Sequence, residues 1–115
     1  MVTNYIPDKG DIVWLQFNPQ AGHEQAGERP ALVLSPKEYN RKTGLALFCP
    51  ITSRIKGYPF EVRLPEDLPI GGVILADQIK NLDWVSRSAR FSCKLPEEIL
   101  QEVILKFETL LDDLK

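Results

Sequence analysis

The sequence predicts a mainly β domain, a small, partly open barrel or rolled sheet with one short helix and one C-terminal helix. Three observations carry this. Short runs of β-branched and aromatic residues, separated by Gly- and Pro-containing turns, fill roughly the first 80 positions. Only the last segment shows the long 3- and 4-residue apolar spacing of an amphipathic helix. At 115 residues, 43% hydrophobic and 26% charged, the chain has apolar material for one core. One domain covering residues 1–115 is therefore expected.

The elements follow in order. Asp11 to Phe17 is rich in Ile, Val, Trp and Phe and is preceded by Gly10, so it reads as a strand. Asn18 to Gly27 holds Pro19, Gly22 and Gly27 without apolar periodicity; a loop this long in a compact domain often carries function. Pro30 to Leu34 is the second strand. Ser35-Pro36-Lys37-Glu38 has the pattern of a helix start, with Ser35 as cap, Pro36 at the first helical position and Glu38 three residues on. Gly44 limits that helix to about two turns. Leu45 to Pro50 and Tyr58 to Leu64 are the next strands. The polar loop between them, Ile51 to Gly57, carries Thr52, Ser53, Arg54 and Lys56. After the turn Pro65 to Gly72, the segments Val73 to Ala76 and Gln78 to Leu82 continue the sheet. Pro96 opens the last helix, Glu97 and Glu98 suit the positive end of its dipole, and Ile99, Leu100, Val103, Ile104, Phe107, Leu110, Leu111 and Leu114 form its apolar face.

Composition narrows the function classes. No stretch approaches the roughly 18 apolar residues of a membrane span. The N-terminus has neither a basic region nor an apolar h-region, so no signal peptide is expected. Cys49 and Cys93 form no CxxC pair, and one histidine is too few for a zinc site, so neither a metal nor another cofactor is expected. Two thiols in a reducing, cytoplasmic setting is the simpler reading of the cysteines. The formal net charge is −2, but Pro96 to Lys115 holds six acids and two bases, which leaves twelve bases against ten acids in the rest of the chain. That distribution permits a phosphate-binding surface.

The stretch Gly22-His23-Glu24-Gln25-Ala26-Gly27-Glu28-Arg29-Pro30 places an arginine, fixed by Pro30, at the mouth of an apolar strand. An arginine held this way suits bidentate phosphate contacts. Gly10-Asp11-Ile12-Val13-Trp14, Gly22 to Pro30, Leu32-Val33-Leu34-Ser35, Cys49-Pro50-Ile51-Thr52, Lys56 to Val62 and Ala76-Asp77-Gln78 together resemble the MazF/PemK toxins, in that family's order and spacing over nearly the whole chain. The resemblance implies an SH3-like, partly open β-barrel of the MazF/CcdB toxin type. It also implies a homodimer, sequence-specific cleavage of single-stranded messenger RNA, and neutralisation by a cognate MazE-like antitoxin with an acidic, initially disordered segment.

By the same resemblance the catalytic arginine is Arg29, its hydroxyl partner is Thr52, and Glu24 is the acidic loop residue near the scissile phosphate. Lys56, Gln78 and Arg87 fall along the RNA groove. Position 28, basic or polar in several relatives, is Glu28 here. A carboxylate facing the groove would repel phosphate, so either Glu28 points away or binding is weakened. Phe17 adjoins the loop and is a candidate to stack on a base, whereas Trp14 and Trp84 read as core. Lys80, Arg87, Arg90 and Lys94 form a loose basic run, a solvated face by default and an RNA contact on the sharper reading.

RNA brings its own nucleophile, the 2′-OH, next to the phosphorus, so alignment supplies much of the acceleration and a metal-activated water is unnecessary. The expected products are a 2′,3′-cyclic phosphate and a 5′-hydroxyl. Arg29 suits charge stabilisation. Thr52 can hold a non-bridging oxygen or orient the 2′-OH. Glu24 and His23 are the available bases: His23 has the better unperturbed pKa, Glu24 the better family match. Two other functions compete: a toxin of the same barrel acting on DNA gyrase, and a non-enzymatic SH3-like binding module. Gyrase-directed toxins depend on C-terminal aromatic and apolar residues, whereas this chain ends Asp112-Asp113-Leu114-Lys115.

Overall fold

A computed structural model describes residues 4–17 and 27–112. The strands are β1 (Asp11–Phe17), β2 (Gly27–Val33), β3 (Leu45–Thr52), β4 (Glu61–Arg63), β5 (Val73–Leu75), β6 (Lys80–Asp83) and β7 (Arg90–Lys94). The helices are α1 (Lys37–Thr43) and α2 (Glu97–Glu108), the latter running into a 3-10 turn at Thr109–Leu111. All described strand pairings are antiparallel. The strand order β4-β5-β3-β2-β1-β7, with β6 on the first half of β3, runs from one free end to the other, so the rolled sheet stays open.

Each sheet face buries its own cluster, as period-2 alternation requires. On one face Ile12, Leu32, Cys49, Ile51, Val62 and Ile74 pack with Leu100 and Val103 of α2. On the other, Val13, Leu15, Ala31, Val33, Ala46 and Phe48 form a second cluster, closed at its edge by Tyr5, Leu82 and Trp84. Trp14 packs at the margin of the first cluster and Trp84 at that of the second, as expected of core tryptophans.

Several boundaries shift: β3 runs on through Ile51 and Thr52, β4 is confined to Glu61–Arg63 and β6 begins at Lys80. Three further differences have a clear physical reason. The α1 capping box does not form: Pro36 is the N-cap and no side chain caps the helix. Ser35 is buried instead, donating its Oγ hydrogen to Asn40 Oδ1 (2.6 Å) while accepting from the Leu47 amide (2.9 Å). Asn40 is itself fully buried, and its amide group donates to the Pro7 and Ser35 carbonyls. A buried polar group must be satisfied, and this demand outcompetes the helix cap for the Ser35 hydroxyl. Second, β2 begins at Gly27 rather than Pro30, because Arg29 and Glu28 pair with Leu15 and Gln16 of β1. Third, β7 is a strand that composition does not announce. Its alternation is broken where the β1·β7 register shifts between Ile12 and Val13.

Candidate active-site cleft

The site grows from strand parity. Along β2, Arg29, Ala31 and Val33 share one face, while Glu28, Pro30 and Leu32 take the other. Ala31 faces Pro50 and Val33 faces Phe48 on β3. That register, continued by two residues, sets Arg29 against Thr52. Here the two strands part, while on its other edge β3 pairs with β5, Ile51 with Ile74 and Thr52 with Val73. Arg29 and Thr52 thus stand on either side of a fork in the sheet, on the same face.

The fork opens into a cleft of about 570 Å³. Leu15, Ala31, Phe48 and Leu82 supply apolar lining, Pro30 and Pro50 flank it, and Arg29, Thr52, Gln78, Lys80 and Arg87 bring the polar groups. None of the described lining residues is acidic. A concave, partly apolar site with three cations suits a ligand that carries both bases and phosphates.

Local contacts set the polar groups. Lys80 faces Phe48 in the β3·β6 ladder, so it projects from the cleft side of β6. Arg87 belongs to the turn between β6 and β7. Its carbonyl accepts from the Gln16 amide (2.8 Å) and its Nη1 donates to the Gln16 carbonyl (3.4 Å), which ties this turn to the end of β1. Thr52 Oγ1 accepts from the Arg54 amide at 3.1 Å, leaving the hydroxyl hydrogen to be donated elsewhere. Gly72 lies flat against the Thr52–Ser53 peptide with φ +112°, and a Cβ there would sit 2.2 Å from the Thr52 carbonyl oxygen. Only glycine allows this approach.

The sequence-derived candidates separate on this frame. Arg29, Thr52, Gln78, Lys80 and Arg87 line the cleft. Lys56 is not among the lining residues; it lies on the loop after Thr52, its ammonium 5.8 Å from the Tyr58 ring centre. Both carboxylate oxygens of Glu61 brace that loop by accepting from the Lys56 and Gly57 amides at 3.0 and 2.9 Å. Phe17 ends β1 opposite Gly27, and its side chain lies outside the described residues, as do Glu24 and His23. The basic run divides: Lys80 and Arg87 reach the cleft, whereas Arg90 and Lys94 pair with Glu28 and Asp11. Sequence reasoning missed the apolar lining from Leu15, Phe48 and Leu82; Leu15 comes opposite Arg29 only because β2 extends back to Gly27.

Glu28 resolves as pointing away. Its Oε1 accepts from Arg90 Nη2 at 2.5 Å and its Oε2 from Arg90 Nε at 3.2 Å, on the face opposite Arg29. The Arg90 hydrogen bonds hold this carboxyl below its ordinary pKa and, reciprocally, raise that of Arg90. Both cysteines are free thiols. Burial, reinforced by the charge of Asp77, pushes Cys49 up to about 12, so it is an inert core residue. Among the described residues no group of three His, Cys, Asp or Glu could hold a metal ion, and no helix is long and apolar enough to cross a membrane.

Comparisons with known proteins agree on one family. Residues 8–111 match the family described as PemK-like, MazF-like toxin of type II toxin-antitoxin system. The chain is 48% identical over 111 residues to the endoribonuclease toxin MazF of Escherichia coli K12, covering 96% of this chain and 99% of that protein. It is 34% identical to the endoribonuclease PemK of E. coli, over 90% and 81% of the two chains. The crystal structure of MazE–MazF (form II) from Deinococcus radiodurans superposes with a TM-score of 0.91 at 57% identity, over 94% of this chain and 97% of that one. Fold, cleft and sequence converge: the chain belongs to the PemK-like, MazF-like toxins of type II toxin–antitoxin systems.

Proposed function

We infer that the chain is an endoribonuclease toxin that cuts single-stranded messenger RNA and is held in check by a MazE-like antitoxin. The observation that carries this is the fork itself. An arginine and a hydroxyl on one face of two parting strands adjoin a cationic cleft, in a chain 48% identical to an endoribonuclease over nearly its whole length.

The chemistry asks for three things: acceptance of the 2′-OH proton, stabilisation of the extra charge on phosphorus, and departure of the 5′-oxygen. Arg29 takes the second task, because a guanidinium places two parallel hydrogen bonds on the phosphoryl oxygens as charge develops there. Thr52 shares it: with its oxygen already accepting from the Arg54 amide, its hydrogen points a donor at a non-bridging oxygen. Lys80 and Arg87 track the neighbouring phosphates, and Gln78 offers an amide to a base edge. Lys56 and Phe17 extend the RNA track beyond the cleft. Glu24 is assigned as proton acceptor on family resemblance. Attack by the 2′-oxygen leaves a 2′,3′-cyclic phosphate and a 5′-hydroxyl, and no bound metal ion or other cofactor enters any step. A homodimer is the proposed working form.

The test is cleavage of a long unstructured RNA in EDTA, with fragments resolved on a denaturing gel. Discrete cuts that disappear in Arg29→Ala and fade in Thr52→Ala support the reading. Intact RNA after incubation with folded wild-type protein would overturn it.

A further inference from the structure

The β1·β7 ladder contains a one-residue offset whose effect reaches the cleft. Asp11 faces Lys94 and Ile12 faces Cys93, but Val13 then faces Phe91 and Trp14 faces Arg90. Ser92 is the extra residue, a β-bulge. Carried through without it, the register would set Arg90 opposite Leu15, on the face of Arg29 and the cleft. A single-residue slip sends every later side chain to the other face. The bulge therefore aims Arg90 outward, over the Trp14 ring (6.0 Å to its centre) and onto Glu28. The contact is bidentate, and Gln16 Nε2 adds a third, longer bond to Glu28 at 3.4 Å.

Glu28 is the immediate neighbour of Arg29 in the chain. Strand parity starts its side chain on the face opposite Arg29. The carboxylate is ionised at neutral pH, and its partner neutralises that charge and fixes it there. We propose that Arg90, aimed by the bulge at Ser92, is a positioning residue that holds the Glu28 carboxylate on the outer face and keeps its charge from opposing RNA binding at Arg29. This rests on the reading of the cleft as an RNA site. The described contacts of Arg90 are with Glu28 and Trp14, neither of which lines the cleft, so it acts through Glu28.

The experiment compares wild type, Arg90→Ala, Glu28→Gln and the double variant Arg90→Ala/Glu28→Gln in cleavage of a short unstructured RNA in EDTA at low salt. Arg29→Ala serves as the reference, and thermal melts verify folding of these surface variants. Loss of Arg90 is expected to raise KM by roughly three- to tenfold at low salt, with kcat within about twofold of wild type and the effect shrinking as salt rises. Removing the released carboxylate in the double variant returns KM to within about twofold of wild type, and Glu28→Gln alone leaves it there. An unchanged KM in Arg90→Ala overturns the proposal. So does an equal KM defect in Arg90→Ala and the double variant, which would make Arg90 a phosphate contact in its own right. If Arg29→Ala also cleaves normally, the cleft reading has failed; if Arg29→Ala is crippled and Arg90→Ala is not, only the role of Arg90 has.

Discussion

The cleft and the β1·β7 ribbon place the same kinds of cationic side chain in different settings. In the cleft Arg29, Lys80 and Arg87 gather with no described lining carboxylate. In the ribbon each cation meets an acid: Arg90 meets Glu28, and Lys94 meets the buried Asp11 at 2.7 Å. The face onto which the strand or turn directs each side chain, rather than its charge, separates the two sets. Lesions in the cleft should therefore lower activity in a folded protein, and lesions in the ribbon should lower stability while the chemistry survives.

The largest effect is expected at Arg29. Arg29→Ala should lower kcat about 10²–10³-fold, the range for removing one donor to a developing oxyanion, with little change in melting temperature. The mirror-image lesion is Asp11→Ala. Its carboxylate accepts from Tyr5 Oη (2.5 Å), the Asp8 amide (3.0 Å) and Lys94 Nζ (2.7 Å). Its removal should cost about 2–3 kcal/mol in denaturant unfolding, with kcat preserved at a temperature where the variant is folded. An activity loss at Asp11 beyond its unfolding would break the division between the two regions.

Smaller effects sharpen it. Thr52→Ala should lower kcat on the order of tenfold, and Thr52→Ser should recover most of it because the hydroxyl returns. Lys80→Ala and Arg87→Ala should each flatten the salt dependence of RNA binding by about one unit of slope, a change Lys94→Ala should not produce. The smallest effect concerns Glu28. Its folded pKa is lowered by the Arg90 hydrogen bonds, so the pair stabilises the fold above the ordinary carboxylate range and loses that contribution as pH falls through the lowered value. The pair is exposed, so little stability changes. An NMR titration of the Glu28 carboxyl should show a depressed midpoint that returns to the ordinary range in Arg90→Ala.

Much of this was legible in the sequence. β1 appears at its predicted bounds because its residue types and flanking glycine leave no competing pattern, and α2 follows from its apolar spacing. Arg29 and Thr52 were legible as a family resemblance, and the register then supplies what resemblance does not: their shared face. Three features were not legible. The Ser35 hydroxyl was claimed by Asn40, a contact that exists only once both are buried. β7 carries a bulge, and no local pattern marks which residue is extra. The same offset decides which face Arg90 serves, so its pairing with Glu28 could not be read from the basic run alone, whereas resemblance already set Arg87 along the groove.

The central claim, attack by the RNA's own 2′-OH at a phosphate held by Arg29 and Thr52, is tested most directly by one substitution in the substrate. A short RNA carrying a single 2′-deoxynucleotide immediately 5′ of the scissile phosphate should bind with an unchanged Kd and resist cleavage at that bond in EDTA. The all-ribose control should yield a 2′,3′-cyclic phosphate and a 5′-hydroxyl. Cleavage of the deoxy-substituted bond at the control rate would contradict the account.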